Sequence, residues 1–156
     1  MSTVLERHRT TRKAHKRMTP RQTVDVDVDI TPVNSCGQVV ICDLAATPGG
    51  SGGSHVVDGV IFLKSTEDYR LHLHLKPGPL GQFSWDADPF WSKKSKCPDR
   101  TGITPVGQFP SAPVANGYTL DVPVNGVPGK SAIHFRLNVL DPAGNPEFCD
   151  PIIINN

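Results

Sequence analysis

The sequence predicts an all-β protein: a single antiparallel β-sandwich of about seven to nine strands behind a flexible basic N-terminal arm. Three observations lead there. Apolar and polar residues alternate over successive short stretches, clusters of Pro, Gly, Asn and Asp separate those stretches, and no helical period appears beyond residue 23. With 156 residues the chain suits one domain better than two, and its 37% hydrophobic and 20% charged residues are those of a globular protein. The 14 Gly and 15 Pro imply many turns.

Residues 1–23 hold seven of the 16 Lys and Arg (Arg7, Arg9, Arg12, Lys13, Lys16, Arg17, Arg21) and a single acid, Glu6, so a +6 arm precedes a −5 body. Thr3 and Glu6 have the spacing of a capping box, but Val4, Leu5, Ala14 and Met18 give a helix little to bury. A frayed or marginally helical arm is therefore expected before a sandwich spanning residues 24–156. Such an arm can neutralise nucleic-acid phosphates, dock on the acidic body of another copy, or stay solvated.

From Val24 the period is two. "VDVDVDI" sets Val24, Val26, Val28 and Ile30 on one face and Asp25, Asp27 and Asp29 on the other, as in a half-buried strand. "QVVICD" and "VVDGVIFLK" read as more central strands. In "YRLHLHLK", Tyr69, Leu71, Leu73 and Leu75 face inward, against Arg70, His72, His74 and Lys76. "YTLDVPV" and "AIHFRLNVL" alternate in the same way, with Pro123 marking an edge or a strand end. The turn "DPAGNP" leads to a final strand, "EFCDPIIIN".

The glycine run "TPGGSGGSH" (Thr47–His55) is expected to be a slack connection within the sandwich. Only two short strands precede it, too few to bury a core. A flexible six-residue Gly/Ser segment spans roughly 13 Å, enough to cross the roughly 10 Å between packed sheets. It has no Gly-Lys-Ser/Thr ending and precedes a strand, so it lacks the helix N-terminus that a phosphate-binding loop needs.

Three features carry possible chemistry. His72 and His74 leave one strand face about 7 Å apart, and His134 has the parity to join them around a divalent transition metal that could activate water. The row Asp25, Asp27 and Asp29 lacks the wrapping turn of a calcium site, and cross-strand pairing with Lys, Arg or His is the simpler account. The third is an aperiodic stretch of about forty residues, Gly78 to Gly117, long for a connection in a compact domain. It carries Trp85, Asp86, Asp88, Phe90, Trp91, Lys93, Lys94 and Lys96. Rings beside cations can stack on a partner, or the rings can cap one end of the sandwich.

Cys36, Cys42, Cys97 and Cys149 show neither a Cys-x-x-Cys pair nor zinc-ribbon spacing, so in a reducing cytosol all four are expected as buried thiols. No apolar run approaches the roughly 18 residues of a membrane span, and the N-terminus lacks the apolar core of a secretory signal. A soluble cytoplasmic protein without membrane contact is expected. The leading functional expectation is a non-catalytic binding or assembly module, without a cofactor. It would contact a protein or small-ligand partner through the aromatic and basic residues named above, or assemble with its own copies. A metal-dependent enzyme at His72, His74 and His134, and a nucleic-acid-associated protein using the arm, are the alternatives.

Overall fold

The computed structural model describes residues 21–35, 38–93, 108–126 and 129–155. Most of the arm, along with Cys36, Lys94, Lys96 and Cys97, lies outside the described residues. The described chain is all-β and forms eleven strands: β1 (Gln22–Ser35), β2 (Gln38–Ala46), β3 (Val56–Val57), β4 (Val60–Leu63), β5 (Tyr69–Lys76), β6 (Ser84–Lys93), β7 (Val114–Asn116), β8 (Thr119–Val124), β9 (Ser131–Leu140), β10 (Pro146–Cys149) and β11 (Ile152–Asn155). They make two sheets. The first runs β2-β1-β5-β8-β7; the second runs β10-β9-β11-β4-β3, with β6 on the far side of β9.

The sandwich is the expected class, with two differences in detail. Two of the pairings, β1 with β5 and β4 with β11, are parallel. Alternation decides which side chains face inward and is silent on the direction of the neighbouring strand, which depends on where the connections cross. The strand count is also higher, because β6 and β7 form within the stretch read as aperiodic and two expected strands each divide. "VVDGVIFLK" folds back at Asp58 and Gly59, both at positive φ, into the hairpin of β3 and β4. "EFCDPIIIN" breaks at Asp150-Pro151, so β10 and β11 pair with successive parts of β9.

The inward residues are those of the period-two pattern. Val24, Leu71 and Val122 lie side by side on the first sheet, as do Val26, Leu73 and Leu120, and all are fully buried. Ile133, Phe135, Leu137, Val139 and Ile153 face them from the second sheet. Burying each such side chain contributes roughly 1.5–3 kcal/mol.

One link between the sheets is covalent. Cys42 on β2 and Cys149 on β10 form a disulfide, with their Cα atoms 5.6 Å apart. This corrects the expectation of thiols: the partners are 107 residues apart in sequence, and only the packing of β2 over β10 brings them together.

Candidate functional site

The outer face of the first sheet collects most of the polar residues singled out from the sequence. Register places Asp25 beside His72 and Asp121, and Asp27 beside His74 and Thr119. His74 Nε2 lies 3.2 Å from Asp25 Oδ1, and its Nδ1 lies 2.9 Å from Thr119 Oγ1. His72 Nδ1 is 3.4 Å from that same Asp25 oxygen, and its Nε2 is 3.9 Å from Asp121 Oδ1. Arg70 donates to Asp121 at 2.8 Å, and Lys76 sits 3.8 Å from Asp27. Asp25 and Asp27 of the acidic row therefore pair across strands with His and Lys, as the sequence suggested, while Asp29 lies opposite Asp43.

His134 does not join this cluster. It lies on β9 in the other sheet, between the inward-facing Ile133 and Phe135, and so belongs to the opposite outer face of the sandwich. Parity gave it an outward direction but could not say on which sheet. Among the described residues no group of three or more His, Cys, Asp and Glu is arranged to hold a metal ion.

The glycine run also departs from its expected slackness. It leaves the first sheet after β2 and reaches β3 in the second, as its reach allowed, but it is tied to β1 on the way. Thr47 N–H donates to the Asp25 carbonyl, Asp25 N–H donates to the Ser51 carbonyl, and Ser51 N–H donates to Asp25 Oδ2 at 3.0 Å. Thr47 Oγ1 donates to Asp27 Oδ1 at 2.8 Å. Gly50 packs so closely that an added Cβ would lie 3.0 Å from Asp25 Cβ. Asp25 is thus the joint between loop and sheet.

Burial pushes the Asp25 carboxyl upward, but the Ser51 N–H, the His74 hydrogen bond and the charges of His72 and His74 outweigh it and hold it below the usual carboxylate value. A folded-state value below the unfolded one contributes stability above the unfolded value, near pH 4, which is lost as pH falls through the folded one. Replacing Asp25→Asn should therefore remove about 1 kcal/mol of stability at pH 7. The same change should flatten the acid limb of the stability–pH curve, measured by denaturant unfolding from pH 7 to 3. An unaltered acid limb would show that Asp25 does not act this way.

The aromatic stretch is not an open loop. Residues 84–93 form β6 against β9, with Asp86 to Pro89 bulging out between the Trp85–Val139 and Phe90–Leu137 pairs. The bulge resets the face, so Trp85 and Phe90 both point into the core despite their odd spacing. Trp85, Phe90 and Trp91 are only 8%, 6% and 4% exposed. Trp91 donates its indole N–H to Asp88 at 2.7 Å, and Asn138 donates to the Asp88 carbonyl at 2.8 Å. The Arg136 guanidinium lies over both the Trp91 and Phe148 rings. Trp85 and Phe90 fill the core, Trp91 packs beneath Arg136 on the outer face of the second sheet, and Asp86 and Asp88 shape the bulge. Lys93 is placed by register opposite His134.

Sequence reasoning missed the β7 edge. Val114, Ala115 and Asn116 are all exposed, and β7 pairs with β8 alone among the described strands. Val114 is 65% exposed and Tyr118, in the turn that follows, 54%. Gly117 at φ 62° fits the first central position of a two-residue hairpin turn, and the "ANGYT" pattern could have signalled it.

Fold and site together define a two-sheet β-sandwich with a self-paired polar face and an exposed apolar edge at β7. No family model matches the chain, and no curated protein matches it. The chain is similar to a solved structure, the crystal structure of an inclusion body protein (PixA) from Burkholderia cenocepacia J2315, with 9% identity and a TM-score of 0.37. The likeness covers 89% of this chain and 98% of that one, and at this level it carries no argument about function.

Proposed function

We propose that the chain is a non-catalytic β-sandwich assembly module, whose contact is the β7 edge meeting the same edge of a second copy. The observation that carries this reading is the edge itself: three exposed residues with a large apolar side chain at each end, Val114 and Tyr118. Asn116 and Thr119 flank the hairpin turn, which makes them the hydrogen-bonded pair. Ladder alternation then turns the N–H and C=O of Ala115 away from β8, toward a further strand. No charged residue stands between Gln108 and Leu120, so two such edges approach without repulsion and without the lysines that usually block an edge. Antiparallel pairing of β7 with itself closes on a two-fold axis.

A proline at position 115 removes the outward N–H and leaves the bonds to β8 in place. Sedimentation of the wild-type chain at rising concentration should show a dimer, and Ala115→Pro should weaken its dissociation constant at least about tenfold, or about 1.4 kcal/mol. A wild-type chain that stays monomeric, or an Ala115→Pro variant that dimerises equally well, overturns the proposal.

A further inference from the structure

We propose that the Cys42–Cys149 disulfide is a redox-controlled clasp that holds the β2 margin of one sheet to the β10 margin of the other. Both cysteines sit on inner faces: Cys42 is opposite the buried Ile30, and Cys149 is opposite the buried Leu137. Each strand is the outermost of its sheet. Among the described strands β2 pairs only with β1, in a register that slips between Pro32 and Ser35, and the four-residue β10 pairs only with β9. Cutting the bridge therefore frees two strands that each keep a single ladder, whereas β5 and β8 remain paired on both sides.

The two sulfurs are not equally reachable. Cys149 is fully buried, while Cys42 is only partly so. An incoming thiolate attacks the sulfur of Cys42, forming a mixed disulfide there and releasing Cys149 as the thiolate, which takes up a proton. A second thiol then displaces Cys42 and leaves joined to the first as their own disulfide. Two electrons and two protons thus pass from two small thiols to the protein. Closing is the reverse, with a small-molecule disulfide as oxidant. The freed thiols return to the core as small apolar groups, so the open form stays folded. An oxidising compartment favours the closed form.

The test uses the full chain in glutathione buffers of graded thiol-to-disulfide ratio, alongside a Cys42→Ser/Cys149→Ser variant that keeps Cys36 and Cys97. Peptide mapping after acid quench should find the Cys42–Cys149 link in oxidising buffer, and during its loss glutathione should be attached to Cys42 rather than Cys149. On reduction, amide exchange in residues 38–46 and 146–149 should rise at least about tenfold more than in β5, and the double variant should behave as the reduced form in every buffer. Absence of the linked peptide at every ratio, glutathione on Cys149, or an equal rise across all strands overturns the proposal.

Discussion

Replacing Phe135 with alanine is expected to lower the unfolding free energy by about 3–5 kcal/mol, the largest loss expected of any single change considered. Phe135 is fully buried on β9, at the centre of the second sheet. Its ring stacks on Phe90 at 5.3 Å, and Phe90 meets Phe109 edge-on at 5.1 Å. Alanine removes one end of this row of rings and leaves a cavity beside Phe90, held open by the backbone of β6 and β9. Denaturant unfolding measures the loss. A value under about 1 kcal/mol would mean that the aromatic stretch does not pack into the core as described.

The second prediction is a contrast within the glycine run. Gly52 has a φ of +119°, which L side chains rarely adopt, and a Cβ there would lie 2.8 Å from Val24 Cγ1 and 3.2 Å from the Asp25 backbone nitrogen. Both neighbours belong to β1, one of them in the core, so neither can withdraw cheaply. Gly52→Ala should cost about 2–4 kcal/mol, combining backbone strain with overpacking. Gly53, one residue on, has open space around its Cβ position and no strained φ. Gly53→Ala should stay within about 1 kcal/mol of wild type. Equal effects at the two positions, whether both small or both large, would contradict a loop docked at one point on β1.

The fold class was legible because period-two alternation is a direct consequence of strand geometry. Val24 to Ile30 and Tyr69 to Lys76 face as read, and β5 has the limits read from "YRLHLHLK". Two strand divisions were legible in principle. Asp58-Gly59 is a hairpin signal that a continuous apolar reading overrode, and Pro151 marked a break. The β6 bulge was not legible, since Trp85 and Phe90 at odd spacing point to opposite faces until four residues leave the ladder. Nor was the separation of His134 from His72 and His74, which depends on which sheet each strand joins. The Cys42–Cys149 pair rests on a contact across 107 residues, which no local pattern encodes. Composition likewise made the glycine run look slack, although its backbone bonds to Asp25 tie it down.

Amide exchange at Ala115, followed by NMR as the concentration of the full chain rises, tests most directly whether β7 is the assembly surface. The outward N–H of Ala115 should become protected with concentration, in step with the dimer fraction, while the buried Trp91 indole keeps its signal unchanged. Exchange at Ala115 that is independent of concentration, with protection or shifts gathering at the Asp86–Asp88 bulge and Trp91 instead, would contradict it and return the contact surface to the aromatic segment.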